Sequence, residues 1–234
     1  MYQSIIMKTH PTFYRRNLPH WHPPGAAIFA TWRLKDSLPM SAVKRLRETH
    51  RLLKREAERK GLSIEDLDLR INKKLFAMMD EFLDRAAAGP TWLREPAIAN
   101  KMQDALLNIY AHLYKLWAYV VMPNHVHVLV KPRPAIPSVN APADEMVSLS
   151  DITKRLKGYA AREANKLLCL TGQSFWQTES FDHWPRDEDE FYRIVAYIEN
   201  NPVKAGLVLI AEDWPWSSAA ERKRRGWKRI RSLT

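Results

Sequence analysis

The chain of 234 residues is 46% apolar, which is enough for a single domain with a sizeable buried core. Its formal net charge of +11 indicates a polyanionic partner. The single cysteine, Cys169, excludes an internal disulfide, and we expect it to be buried among leucines on a helix. No apolar run approaches the ~18 residues of a membrane span, so we expect a cytoplasmic protein without membrane association.

The first half of the chain is predicted to hold one strand and a long helical stretch. Residues 26–34 are apolar and β-prone, and a Pro-Pro-Gly sequence leads into them. Helical periodicity then extends over 41–60, 64–88 and 96–113. We treat 41–113 as a helical insertion, and the pattern alone assigns it no role.

Two histidines stand on a predicted β-hairpin. Residues 116–122 and 125–131 are its strands, because the Pro-Asn pair between them is typical of a turn. Side chains alternate along a strand, so His125 and His127 lie on one face, about 7 Å apart along the chain. Two imidazoles in this arrangement can chelate one cation. They can equally be two structural histidines on a half-buried strand.

A proline-rich segment, 132–142, is predicted to be an extended linker that leads to a long helix at 148–170. On this helix Tyr159 and Glu163 lie one turn apart, on the face expected to pack on the sheet. A carboxylate there is costly unless it is paired or coordinated. Four cations of the same helix are predicted DNA contacts: Lys154, Arg155, Lys157 and Arg162.

The remaining elements complete a recognisable order. A strand pair is predicted over 174–184, followed by a helix over 187–201 that Pro202 ends. The order of strands and helices matches an α+β fold: a ferredoxin-like, split β-α-β antiparallel sheet with helices on one face. We therefore expect one domain over 1–212 and a basic C-terminal tail over 213–234.

The tail concentrates positive charge. Seven basic residues from position 221 onward stand against one acid, Glu221. An aromatic among cations can stack on an unpaired base, so we predict that the tail contacts a nucleic acid. The alternative is a solvated, disordered end. The predicted contacts are Arg222, Lys223, Arg224, Arg225, Trp227, Lys228, Arg229 and Arg231.

Together, the histidine pair, the tyrosine and the carboxylate predict metal-assisted phosphoryl transfer. Two imidazole nitrogens and one carboxylate oxygen suit a divalent metal, and Mg²⁺ or Mn²⁺ fits if the substrate supplies phosphate oxygens. The phenol of Tyr159 is the candidate nucleophile. Its attack on phosphorus would release a 3′-hydroxyl and leave a 5′-phosphotyrosine. The sequence contains no GxxxxGK[ST] motif, which is consistent with a reaction that needs no ATP.

These motifs resemble those of REP-associated tyrosine transposases, which are single-tyrosine HUH transposases. The resemblance is carried by PNHVHVLV (123–130), LKGYAAREANKLL (156–168), FWQTESFDHWPRDEDEF (175–191) and YIENNPVKAGLV (197–208). It implies the HUH fold and the cleavage and rejoining of single-stranded DNA at hairpins of repetitive palindromic elements. It also implies His125 and His127 as metal ligands, Tyr159 as nucleophile and Glu163 as third ligand. A nucleoid-associated monomer or homodimer is expected.

Other interpretations of the same residues stay open. The main one is a non-catalytic DNA-binding protein that keeps the HUH fold. A histidine-triad hydrolase would need a third histidine where Leu129 stands, and a structural zinc site would need distant histidines such as His183. Cleavage by a Tyr159→Phe variant would move the nucleophile to another tyrosine, such as Tyr192 or Tyr197.

Overall fold

The structure is a computed structural model that describes residues 12–15, 19–23, 25–60, 64–86, 88–135 and 146–227. Most of the predicted proline-rich linker lies outside these residues. The predicted DNA contacts Lys228, Arg229 and Arg231 also lie outside them. No helix among the described residues is long and apolar enough to span a membrane.

Four strands form one antiparallel sheet. Strands β1 (Thr12–Arg15) and β2 (Pro19–His22) pair with each other as a separate two-stranded ribbon. The main sheet has the order β4-β5-β3-β6, which confirms the predicted ferredoxin-like sheet. Its strands are β3 (Ile28–Leu34), β4 (Tyr114–Val121), β5 (His125–Pro132) and β6 (Trp176–His183). The prediction of a strand pair over 174–184 is wrong, because this segment is a single edge strand.

The described residues form six α-helices around the sheet: α1 (Met40–Lys60), α2 (Ile64–Arg85), α3 (Pro96–Asp104), α4 (Leu149–Leu167), α5 (Glu188–Lys204) and α6 (Ser218–Arg225). The last three helices begin at residues whose side chains cap them. Ser148, Asp187 and Ser217 are their N-caps, and each side chain accepts a hydrogen bond from a backbone N–H three residues on.

Two predicted helix ends differ from the structure. Helix α3 passes into a π-helical turn at Ala105–Ile109 and a short 3-10 turn, so the helix predicted to 113 is interrupted. Helix α5 continues past Pro202 to Lys204, because a proline in the last turn removes one N–H while Ala205 still donates to the Asn201 carbonyl. This extension matters because it carries Lys204 onto the helix.

The sheet is covered on both faces, so the expectation of helices on one face is too narrow. Helices α3 and α4 pack on the face that holds Val126, Val128 and Val130. The other face holds Leu129 and is packed by α5, with Phe76 of α2 against it. Because the histidines share a face with Leu129, α5 packs on their side of the sheet, and α3 and α4 pack on the opposite side.

Helices α1 and α2 form a hairpin that is inserted between β3 and the rest of the fold. The two ends of this insertion touch: a Cβ atom on Gly89 would come 2.1 Å from the Asp36 carbonyl oxygen. Gly89 also has a φ of +78°, which side chains disfavour. The close contact ties the start of the insertion to its end.

Cys169 is exposed, contrary to the prediction that it is buried on a helix. It follows the end of α4 with a φ of 56°, so it lies in the turn that leaves the helix.

Candidate functional site

The two histidines lie together at the centre of the sheet. His125 and His127 are both fully buried, and their Nε2 atoms are 3.0 Å apart. Phe29 stacks on His127 with 5.6 Å between ring centroids, and Phe76 of α2 contacts the same imidazole edge-on. The histidines thus point into the layer between the sheet and helices α2 and α5.

Each histidine has a partner for its other nitrogen. His125 Nδ1 lies 2.7 Å from Asn124 Oδ1, and the Asn124 amide nitrogen donates to the Leu83 carbonyl. The amide oxygen is therefore the acceptor, His125 carries its proton on Nδ1, and its Nε2 lone pair faces His127 Nε2. His127 Nδ1 lies 2.6 Å from the hydroxyl of Thr31, which can donate or accept. Partners of this kind orient histidines that bind metals.

A buried aspartate joins the pair from the helical insertion. Asp80 of α2 is 1% exposed, and its Oδ1 lies 3.2 Å from His127 Nε2. Burial opposes its ionisation, but the contact with His127 outweighs burial and holds the pKa of Asp80 well below its usual range. Asp80, His125 and His127 offer ligand atoms that all lie within 4.8 Å of one another.

Helix α5 presents three residues to the same place. Tyr197, Asn201 and Lys204 follow at intervals of four and three, so they share one face. The Tyr197 ring lies 5.5 Å from the His127 ring. Burial, followed by the charge of Asp80, raises the pKa of Tyr197 far above its usual range, so the phenol is neutral at pH 7. The hydroxyl of Tyr197 is buried next to Asp80 and to the Asn201 amide, and neither Tyr197 nor Asn201 forms a well-aligned side-chain hydrogen bond among the described residues.

Lys204 balances the acidic groups. Its Nζ lies 3.0 Å from Asp80 and 2.7 Å from Asp84, while half of its side chain is exposed. Burial and then the charge of Asp80 raise the pKa of Asp84. Burial tends to lower the pKa of Lys204, but the two carboxylates outweigh it and raise that pKa. Helix α5 is thus fastened to α2 across the site.

The donor set fits a divalent cation that accepts both nitrogen and oxygen ligands. Neighbouring ligands of an octahedral ion lie about 3.0 Å apart when each bond is ~2.1 Å, which matches the separations around His127 Nε2. Two imidazoles and a carboxylate are ligands that Mg²⁺ or Mn²⁺ accepts. The histidine pair therefore sits where the prediction of a metal site requires.

The structure does not bring Tyr159 and Glu163 to the histidines. Helix α4 packs on the opposite face of the sheet, where the Tyr159 ring lies 6.3 Å from that of Tyr110. Glu163 pairs with Lys166 at 2.8 Å, and this contact lowers its pKa. The prediction that α4 covers the histidine face is wrong, because an apolar helix face can pack on either side of a sheet. The roles predicted for Tyr159 and Glu163 stay predictions, which this placement does not support.

The predicted DNA contacts on α4 follow the helix to that far face. Lys154, Arg155 and Arg162 are exposed there. Lys157 instead reaches the edge strand, and its Nζ donates to the Gln177 carbonyl at 2.9 Å.

The predicted basic tail is a packed helix as far as Arg225. Arg222 is buried and pairs with Glu199, while Arg224 and Arg225 pair with Glu221. Lys223 lies 3.3 Å from Asp213. Much of the positive charge expected for DNA is thus balanced by nearby carboxylates. Trp227 is 58% exposed beneath the Arg225 guanidinium.

Comparisons with known proteins agree with this architecture. Residues 91–201 match the family model described as "Transposase IS200 like". Over 122 residues the chain is 30% identical to a Haemophilus influenzae protein assigned as a REP-associated tyrosine transposase; the alignment covers 51% of this chain and 67% of that protein.

A solved structure is similar as well. It is a REP-associated tyrosine transposase bound to a REP hairpin, and it matches with a TM-score of 0.50 at 18% identity. The match covers 94% of this chain and 90% of the other, which shows a shared fold. The family model ends at Asn201, so it includes Tyr197 and excludes the α1–α2 insertion.

Proposed function

Since this chain belongs to the REP-associated tyrosine transposases, we propose that it cleaves and rejoins single-stranded DNA at hairpins of repetitive palindromic elements. The relatives support processing of DNA by this chain. One observation supports the finer reaction: a buried histidine pair, a carboxylate and a tyrosine hydroxyl meet on one face of the sheet. Phosphoryl transfer by a tyrosine needs these groups.

We assign the nucleophile to Tyr197 rather than to Tyr159. Tyr197 lies beside His127 and Asp80, whereas the sheet separates Tyr159 from both histidines. In the proposed reaction the Tyr197 Oη attacks phosphorus, the 3′ oxygen leaves, and the 5′-phosphate stays on the tyrosine. Rejoining reverses these steps with a 3′-hydroxyl as the attacking group. The energy of the broken bond is kept in the phosphotyrosine, so no ATP is needed.

His125, His127 and Asp80 are the proposed holders of a divalent metal, and the Asn201 amide contacts Tyr197 beside them. When bound, such an ion polarises the scissile phosphate and stabilises the developing negative charge. Glu163, the third ligand that the sequence predicts, is paired elsewhere, and Asp80 takes that place in the proposal.

The remaining groups of the site orient the histidines or balance negative charge. Thr31 and Asn124 fix the two imidazoles, as described above. The phenol is neutral at rest, so its proton leaves to solvent as the attack proceeds, because Asp80 is assigned to the metal and its pKa is held low. The Lys204 ammonium is half exposed beside the Tyr197 ring and suits a DNA phosphate that approaches from outside.

A covalent-adduct assay tests this function. The protein is incubated with Mn²⁺ and a labelled single-stranded oligonucleotide that carries a palindromic hairpin from the source genome, and a denaturing gel follows. A labelled protein band that disappears with a chelator supports the proposal. Tight hairpin binding without such a band would favour the alternative, a non-catalytic DNA-binding protein that keeps the fold.

A further inference from the structure

Helix α1 carries a line of cations along one side. Lys44, Arg47, Arg51 and Arg55 follow at intervals of three and four residues, so they share one face of the helix, and all four are exposed. With a rise of 1.5 Å per residue, the line is about 16 Å long. We call these four residues the α1 ridge.

The ridge lies opposite the face of α1 that packs. Ala42 is 1% exposed, and Leu46 and Leu53 are partly buried on that other side. The helix has eight basic residues and three glutamates, and Glu48 is the acid that lies among the ridge residues. Within the described part of the chain, none of the four ridge side chains forms an ion pair, whereas the cations of α6 are balanced. The α1 ridge is therefore a strong positive surface available to a partner.

One end of the ridge is level with the site. Helices α1 and α2 are joined by three residues and pack as a hairpin, so the start of α1 lies beside the end of α2, which carries Asp80 and Asp84. The strand that leads into α1 pairs Arg33 with His125. The ridge therefore begins, with Lys44, at the end of α1 that is level with Asp80 and Asp84 on α2, and it runs outward from there.

The chemistry of the ridge points to one kind of occupant. Proteins that hold single-stranded DNA combine cations with aromatic platforms for the bases, and α1 has no Phe, Tyr or Trp. Exposed cations without aromatics suit the phosphates of a duplex, which position a protein without reading bases. We propose that the α1 ridge binds the phosphate backbone of the hairpin stem, next to the strand that the site handles. This inference rests on the proposed function.

Two matched double variants test the ridge. Arg47→Gln with Arg51→Gln removes two ridge cations. Arg45→Gln with Lys60→Gln removes two exposed cations of the same helix that lie off the ridge. Dissociation constants are measured at several salt concentrations for a labelled hairpin and for an unstructured oligonucleotide of equal length. Circular dichroism checks that both variants are folded.

We expect the ridge variant to flatten the log–log salt slope for the hairpin by about 2, at ~0.9 per lost phosphate contact. The off-ridge variant should keep the wild-type slope, and the unstructured oligonucleotide should show little change. Equal slopes for ridge variant and wild type would overturn the inference. So would equal losses in both variants, or an equal loss on the unstructured oligonucleotide.

The adduct assay separates this inference from the proposed function. If the wild type binds the hairpin with a ridge-dependent slope but forms no adduct, the proposed function fails and the ridge stands. If the adduct forms and the ridge variant has the same salt slope as the wild type, only the ridge inference fails. A wild type that does not bind the hairpin overturns both.

Discussion

The ring of Tyr197 packs against the imidazole of His127, with 5.5 Å between centroids and 62° between the ring planes. Tyr159 instead joins the cluster of Val126, Val128 and Val130 on the other side of the sheet. A strand is one layer thick, so residues one position apart on β5 face opposite layers. Tyr197 therefore lies on the histidine side of the sheet, and Tyr159 lies on the opposite side.

The first prediction concerns the nucleophile. Tyr197→Phe should abolish the covalent protein–DNA adduct, because only the attacking oxygen is removed. Tyr159→Phe is the matched control and should form adduct at the wild-type rate. Both variants should bind hairpin DNA with wild-type affinity, measured by anisotropy without metal. Adduct in Tyr197→Phe, together with its loss in Tyr159→Phe, would return the role to Tyr159.

The second prediction concerns the metal. Mn²⁺ at 100 times its Kd should stabilise the wild type by about 2.7 kcal/mol, seen as a rise in the thermal midpoint. Asp80→Asn should lose most of this gain, because the carboxylate charge at the histidines is gone. Glu163→Gln should keep the full gain, since Glu163 is paired with Lys166 behind the sheet. The assignment of Asp80 would be rejected if the two variants responded in the opposite order.

Local patterns predicted the parts of the site that lie on one element. The alternation along β5 places His125 and His127 on one face whatever packs above them, and the structure brings their nitrogens together. The Pro-Asn turn is local for the same reason. A 3.6-residue period also finds the apolar face of a helix.

What periodicity cannot supply is the side of the sheet on which a helix packs. Tyr159 and Tyr197 both lie on helices with an apolar face, and the choice between them is a tertiary one. The spacing Tyr197-Asn201-Lys204 was the available signal, and the assumption that Pro202 ended the helix hid its last member. Asp80 had no local signal, because a single aspartate in a helical run is typical of a solvated face. Its partner His127 is 47 positions away in the sequence.

The third prediction concerns the closure of the helical insertion. Gly89→Ala should destabilise the protein by about 3 kcal/mol, because its Cβ would overlap the Asp36 carbonyl and φ is positive. Gly172→Ala is the control: φ is +89° there, yet no atom lies within 4 Å of the new Cβ, so only ~1 kcal/mol is expected. Urea unfolding measures both. Equal losses would show that the contact with Asp36 has no energetic role.

The fourth prediction concerns α6, which the sequence treats as part of a tail. Ser217 bridges to Val120 of β4, Ala219 and Ala220 are buried, and Arg222 pairs with the buried Glu199. Truncation after Trp216 should therefore cost more than the ~3–5 kcal/mol of a broken buried pair and yield an unfolded or insoluble chain.

Truncation after Trp227 is the control for α6. It keeps the helix and removes only the last seven residues, so it should unfold at the wild-type urea concentration. Its salt slope with hairpin DNA then tests the predicted contacts Lys228, Arg229 and Arg231 without loss of fold. A soluble, cooperatively folded protein that ends at Trp216 would contradict the packed role of α6.

The last prediction concerns pH and the fastening of the insertion to the sheet. Glu190 of α5 accepts from Lys73 of α2 at 2.7 Å and contacts His183 of β6 at 2.9 Å. Burial opposes ionisation, but the hydrogen bonds from Lys73, the Arg186 N–H and His183 outweigh it and lower the pKa of Glu190 to about 2. An unfolded glutamate titrates near ~4.3, so the folded state binds this proton less readily. The stabilisation is therefore complete above about pH 4.3 and is lost as the pH falls towards 2.

Glu190→Gln should lower the free energy of unfolding by about 1 kcal/mol at pH 7 and by nearly nothing at pH 2. The value at pH 7 allows for solvent screening of the partly exposed Lys73. Glu58→Gln, on the exposed side of α1, removes the same charge and should leave the pH dependence unchanged. Urea unfolding at several pH values measures all three proteins, and a Glu190→Gln curve parallel to wild type from pH 7 to pH 2 would show that this contact does not fasten the insertion.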